Sequence, residues 1–173
     1  MRARFLVLLV FLGSAASSPA NAEDSAFGVA MDELSKAFRA KQFEDALGKA
    51  RALRKALLAQ KVTDPGELGW ARFYEFKSLY ELKRDREALA LLDSKESRPF
   101  LLTTKNAAFT ASVAAEVAYR LKLPDEVVRW SKQCMDHRRE ASDPQGVDQC
   151  AANACVMLGR LDQASLAARF CKP

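Results

Sequence analysis

The reactive side chains of this 173-residue chain are few, and most gather near one end. Four cysteines stand at Cys134, Cys150, Cys155 and Cys171, and the single histidine is His137. Four thiols can close two disulfides, hold a soft metal or serve as nucleophiles. Cys134 and His137 are three residues apart, a spacing that can place two ligands on one helix face. No Cys-x-x-Cys pair accompanies them. His137, within Asp136-His137-Arg138-Arg139, reads as a solvated residue near a helix C-terminus, where positive charge is favourable. A Ser–His or Cys–His mechanism would have to use it. The chain contains no Gly-rich phosphate loop, no His-Glu-x-x-His and no Gly-x-Ser-x-Gly. The acidic pairs Asp32-Glu33, Glu44-Asp45 and Asp125-Glu126 are expected at helix starts, where the helix dipole explains them without acid–base chemistry. The expectation is a protein that is not an enzyme and needs neither cofactor nor metal.

The compartment decides what the cysteines do. Arg2 and Arg4, the apolar run Phe5 to Leu12 and the small residues of Ala20-Asn21-Ala22 form the pattern of a secretory signal peptide over residues 1–22. The run is too short to span a bilayer before Ser14, Ser17 and Ser18 interrupt it. Cleavage after Ala22 would leave a domain of residues 23–173 in the periplasm or outside the cell, where an even cysteine count reads as disulfides. The leader carries two arginines and no acid, so its removal lowers the net charge from +5 to +3. That balance is spread along the chain, without the concentrated basic face of a nucleic-acid binder.

The elements that must position these residues are helical. Hydrophobic residues make up 49% of the chain, while only seven Gly and six Pro interrupt it. Four stretches share one pattern, a polar turn followed by acids or amides and a small apolar residue: Ala40 to Ala46, Leu82 to Ala88, Leu121 to Val127, and Leu158 to Ala164. Their last residues are 42, 39 and 37 apart, a period that signals stacked helical hairpins. Asp64-Pro65 and Asp143-Pro144 pair a good N-cap with a good first helical residue, Pro124 suits a first turn, and Gly159 suits the end of a preceding helix. Eight helices are expected, near 25–40, 43–60, 65–82, 85–94, 104–121, 124–139, 145–158 and 162–171. For the fifth, Ser97-Arg98-Pro99 and Thr103-Thr104 both offer starts.

The four units resemble tetratricopeptide repeats, most closely over Ala151-Ala152, Cys155, Leu158-Gly159-Arg160-Leu161-Asp162-Gln163-Ala164 and Ala168. The family's early Trp is absent, its helix-A Tyr is replaced by Ala37, Leu79, Ala118 and Cys155, and the period is longer than the family's. The resemblance implies an all-α, right-handed solenoid of about four stacked antiparallel hairpins. Another all-α superhelix, or a four-helix bundle with additions, is the alternative. In such hairpins alanines let helices approach, and Leu47, Leu53, Leu79, Leu89, Leu92 and Leu121 fill the space between.

Antiparallel geometry ranks the disulfide pairings. With the last turn centred near residues 160–161, Cys150 and Cys171 come level. With the one before it near 143, Cys134 comes level with about residue 152, close enough to Cys155 for a second bridge. Cys150–Cys171 with Cys134–Cys155 therefore ranks first. The pairing Cys134–Cys150 with Cys155–Cys171 ranks next.

What remains is a binding surface. Phe38, Tyr80 and Tyr119 fall at one equivalent position, each followed by a charge: Arg39, Glu81 and Arg120. The family resemblance implies that this position faces a concave groove, shared by Met31, Trp70, Phe73, Lys77, Phe109, Ser112, Glu116, Gln149 and Asn153. Large aromatic residues beside charges suit a protein or peptide interface, although aromatics at helical spacing are as often core. The expected function is an exported scaffold or adaptor that binds an unidentified protein or peptide segment. The alternative is an envelope protein that binds a ligand, a metal or an anionic polymer, the last through Arg51, Arg54 and Lys55.

Overall fold

A computed structural model describes residues 26–62, 64–95, 101 and 106–171. The leader and both candidate starts of the fifth helix lie outside the described residues. The described residues form eight α-helices and no strand. They are α1 (Ala26–Arg39), α2 (Phe43–Ala59), α3 (Pro65–Glu81), α4 (Asp85–Asp93), α5 (Ala107–Arg120), α6 (Pro124–Glu140), α7 (Pro144–Arg160) and α8 (Ala164–Ala167).

The helix starts follow the local chemistry. Asp64 caps α3, its Oδ1 accepting from the backbone N–H of Gly66 at 2.6 Å and of Glu67 at 3.2 Å. Asp143 caps α7 in the same way, accepting from Gly146 at 2.8 Å. Pro65, Pro124 and Pro144 lie at the first helical positions, where no N–H is needed. Glu44-Asp45 and Asp125-Glu126 lie in first turns as expected. Asp32-Glu33 does not: both residues are inside α1, where Asp32 pairs with Lys36 at 2.6 Å and Glu33 with Lys49 at 3.6 Å.

Six helix ends share one device. Lys41, Lys61, Lys83, Lys122, Ser142 and Asp162 adopt left-handed backbone with φ between 54° and 59°. Each donates its N–H three residues back, and the next residue donates five back, as in Lys41 to Phe38 and Gln42 to Ala37, both at 3.0 Å. These paired bonds satisfy carbonyls that a helix end would otherwise leave open. None of the six positions is glycine. Gly159 does not end its helix: α7 continues to Arg160, and Asp162 makes the turn. The last repeat unit is therefore displaced by three residues from its expected place. Ala167, buried to 6%, matches the fully buried Ala46, Ala88 and Val127, while Ala164 is exposed. The expected last helix, 162–171, is one short piece followed by a turn.

Each helix packs on its sequence neighbour, and α1, α3, α5 and α7 also touch in succession, so the first helices of four hairpins form one row. One core cluster joins Leu34, Leu53, Leu57 and Leu68 at the first hairpin. A larger one runs from Leu47 through Phe76, Val117 and Trp130 to Phe170. Fully buried alanines, including Ala50, Ala71, Ala111, Ala114 and Ala118, let the backbones approach. Among the described residues two charged side chains are buried, Arg72 and Glu75; the Glu75 side chain is 4% exposed and accepts from Arg51 and Arg54, both at 3.0 Å.

The disulfides are Cys134–Cys150, joining α6 to α7, and Cys155–Cys171, joining α7 to the segment after α8. This is the pairing ranked second from the sequence. The α6–α7 turn is centred on residue 142, one earlier than expected, which brings Cys134 level with Cys150. The last turn is centred on residue 162, later than expected, which takes Cys171 away from Cys150 and toward Cys155. A shift of one or two residues at each turn exchanges the partners.

Candidate functional site

The left-handed turn residues give every hairpin a common register. Three residues before them on the first helices stand Phe38, Tyr80, Tyr119 and Gly159, so the equivalence of the three aromatics holds in the backbone. Six residues before stand Lys77, Glu116 and Val156, and two before stand Arg39, Glu81, Arg120 and Arg160. Phe38 and Tyr80 each contact the next first helix, Tyr119 lines a groove beside its own helix, and the three junctions differ in chemistry.

At the α1–α3 junction the rings form a cluster. Phe38 packs edge-on against Phe43 at 5.2 Å and Tyr74 at 5.6 Å. Phe73 lies 5.8 Å from Trp70 and 5.9 Å from Phe109 of α5. The Lys77 ammonium stands over Phe38 at 4.7 Å, Phe109 at 5.5 Å and Phe73 at 5.7 Å, a favourable cation–π arrangement from three helices. Trp70 and Phe109 remain 42% and 41% exposed, whereas Phe73 is 7% exposed and belongs to the core beneath them. Met31 is half-buried against the first core cluster, and Arg39 is exposed.

At the α3–α5 junction the aromatic is locked in place. The Tyr80 hydroxyl donates to Glu116, its oxygen lying 2.9 and 3.0 Å from the two carboxylate oxygens. Arg120 stacks on the Tyr80 ring at 4.4 Å while its Nε and Nη2 donate to Asp85 at 3.0 and 2.6 Å, and its Nη1 reaches Glu116 at 3.4 Å. Burial raises the Tyr80 pKa, as do the hydrogen bond and charge of Glu116, against the opposing charge of Arg120. Burial alone would lower the Arg120 pKa, but the bonds and charge of Asp85, aided by Glu116, raise it. Tyr80 is thus an internal fastening more than an open contact.

At the α5–α7 junction there is space. A groove of ≈ 350 Å³ is lined by Ser112, Glu116, Tyr119, Asn153, Val156, Met157 and Arg160. Gln149 bonds Asn153 at 2.9 Å on its rim. Beneath it a small void is walled by the Cys134–Cys150 bridge and Ser131. A larger groove of ≈ 580 Å³ opens at the far end between α1 and α2.

Of the residues expected on this face, Phe73 is sunk into the core, and Tyr80, Glu116 and Arg120 are engaged with one another. Tyr74, Val156, Met157 and Arg160 were missed. Arg160 was within reach of the sequence pattern, because it is the fourth member of the series Arg39, Glu81 and Arg120; displacing the last unit by three residues hid it. All four cysteines are bridged, which leaves no thiolate at Cys134 to act as a ligand. His137 contacts Glu140 at 3.2 Å near the end of α6. Among the described residues no group of three or more His, Cys, Asp or Glu could hold a metal, and no helix is long and apolar enough to cross a membrane. No protein-family model, curated protein or solved structure matches the chain.

Proposed function

We propose that the protein is an exported, non-catalytic scaffold whose tetratricopeptide-like stack takes a segment of a partner protein along the row of α1, α3, α5 and α7. The observation that carries this reading is the pair Trp70 and Phe109. Two neighbouring helices leave large rings more than 40% exposed, each packed against Phe73. Rings of this kind, flanked by charge, are what interfaces favour. Export to the periplasm or beyond is supported by the leader pattern together with two disulfides, which persist in oxidising compartments. The anionic-polymer reading is weakened by Glu75, which engages both Arg51 and Arg54.

Photo-crosslinking in the intact cell tests the proposal. A photoreactive residue at Trp70 or at Phe109 is expected to capture one discrete protein. The same residue at Leu58, which is 45% exposed on α2, is expected to capture none. Equal capture at Leu58, or none at the two ring positions, overturns the reading.

A further inference from the structure

The three junctions along the row of first helices are repeats of one arrangement, and comparing them shows what the third lacks. At α3–α5, Tyr80 and Arg120 are satisfied by two carboxylates, Glu116 on α5 and Asp85 at the start of α4. At α5–α7, Tyr119 and Arg160 occupy the positions of Tyr80 and Arg120 in the register. The position of Glu116 is taken there by Val156, and that of Asp85 by Pro124. Both carboxylates are gone. Among the described residues neither the Tyr119 hydroxyl nor the Arg160 guanidinium has a hydrogen bond or ion pair, and both line the ≈ 350 Å³ groove.

The rest of the groove has the same imbalance. Asn153 uses its carbonyl oxygen to accept from Gln149 at 2.9 Å, which leaves its amide as a donor. Glu116 does line the groove, but its oxygens already serve Tyr80 and Arg120. The lining thus offers Arg160, the Asn153 amide and the Ser112 and Tyr119 hydroxyls as donors, while the half-exposed Glu116 carboxylate, the one acid among the lining residues, is paired with Tyr80 and Arg120. Beside Arg160, one helical turn back, Val156 is 51% exposed and supplies an apolar ledge.

We infer that the α5–α7 groove is a carboxylate-binding subsite, filled by an acidic side chain of the partner segment in place of the carboxylate found at the α3–α5 junction. Residues one turn apart on a helix are about 6 Å apart along its axis, which matches alternate residues of an extended chain at about 6.7 Å. The segment therefore carries an acid over Arg160 and an apolar residue two positions away over Val156. An arginine with a carboxylate, joined by a phenol and an amide, makes a charge-assisted cluster of the kind that fixes a segment's register. The Cys134–Cys150 bridge below holds α6 to α7 and so helps to set the groove's shape. This inference rests on the partner-binding reading of the same face.

The test is a titration of the oxidised mature protein, followed by NMR at the Arg160 Nε–H and the Asn153 side-chain amide. Three short acetylated peptides serve as probes. The first is amidated and has glutamate and leucine two positions apart, the second is the same with glutamine for glutamate, and the third is the glutamine peptide with a free C-terminal carboxylate. The first should move both signals and bind about tenfold more tightly than the second. Arg160→Gln should abolish the difference. Val156→Glu restores the missing acid within the chain, so it should fold normally, move the Arg160 signal without any peptide and block the first probe. Equal binding of glutamate and glutamine peptides overturns the inference, as does an Arg160 signal that no probe moves. Tighter binding of the third peptide than of the first overturns it in favour of a chain terminus. Crosslinking at Trp70 that succeeds while these titrations fail would remove the subsite and leave the partner-binding face intact.

Discussion

Between α2 and α3 the stack is fastened by charge, and between α6, α7 and the C-terminal segment it is fastened by covalent bonds. In the first region Glu75, almost wholly buried, holds Arg51 and Arg54 from the preceding helix. In the second, Cys134–Cys150 and Cys155–Cys171 each close 16 residues of chain. The difference follows from what each end can bury. The first hairpin has helices of 14 and 17 residues around its own cluster of leucines. The last has α7 and a helix of four residues, too short to be stable by itself. A terminal hairpin has a neighbour on one side only, so its deficit is not shared. Cross-links make up that deficit by restricting the unfolded chain, whereas the ion pairs must overcome the desolvation of Glu75 within the folded one.

The largest expected effect comes from replacing all four cysteines by alanine. Each bridge should be worth about 2–4 kcal/mol. The loss is expected to be local: hydrogen exchange should show residues 144–171 losing protection first, with α1 to α3 retaining theirs. Uniform loss of protection along the chain would show that the two regions form one cooperative unit and would break the comparison.

The next effect tests the charged fastening through its asymmetry. Removing both arginines in Arg51→Ala with Arg54→Ala strips Glu75 of the two partners it meets from α2 and should cost about 3 kcal/mol. Glu75→Gln removes the buried charge and leaves arginines that are 42% and 26% exposed, free to turn to solvent, so it should cost about 1 kcal/mol. Urea denaturation measures both. Equal costs would mean that the desolvation of Glu75 does not govern this junction.

How far the sequence discloses these regions depends on whether a feature is set locally. Asp64-Pro65, Asp143-Pro144 and Pro124 mark their helices because a cap and a first-turn proline act over two or three residues. The recurrence of Phe38, Tyr80 and Tyr119 is legible for the same reason, since a turn fixes the register of the residues just before it. The environments of those rings are not legible, because Glu116 and Arg120 reach Tyr80 across 36 and 40 positions of chain. The disulfide pairing fails at an intermediate scale. It needs the turn centres to within one residue, and Gly159 gave a false stop where Asp162, a residue without glycine's freedom, makes the turn. Phe73 and Trp70 lie three apart on α3, yet one is core and the other surface, a distinction that only the neighbouring helices impose.

A smaller effect separates the locked junction from the open one. Tyr80→Phe removes the bond to Glu116 at a half-buried site and should cost about 1 kcal/mol, whereas Tyr119→Phe should cost almost nothing without a partner. The pH dependence has a definite sign. The folded state holds the Tyr80 proton more tightly than the unfolded chain, whose phenol titrates near about 10. The stabilisation is therefore complete below about pH 10 and is lost as pH rises through the higher folded value. Denaturation curves of wild type and Tyr80→Phe should stay apart below that point and converge above it. A constant gap at every pH would show that the phenol is not held by burial and Glu116.

The smallest effect concerns the turns that both regions share. A lysine in left-handed backbone costs about 1 kcal/mol relative to glycine, and glycine returns about 0.4–1 kcal/mol of that through the freer unfolded chain. Lys41→Gly, Lys61→Gly and Lys122→Gly should each therefore stabilise by only about 0.3 kcal/mol, additively because the sites are far apart. Asp162→Gly should gain less, since aspartate tolerates this conformation better than lysine. Lys83→Gly is the exception that connects the turns to the junctions. The Lys83 ammonium lies 5.2 Å from the Tyr80 ring on the face of the locked cluster, and losing that contact costs about 0.5 kcal/mol at an exposed site. The substitution should therefore be neutral or slightly destabilising where Lys122→Gly is stabilising. Thermal melts of the two variants, each in wild-type and Tyr80→Leu backgrounds, decide the point: the difference between them should vanish once the ring is gone.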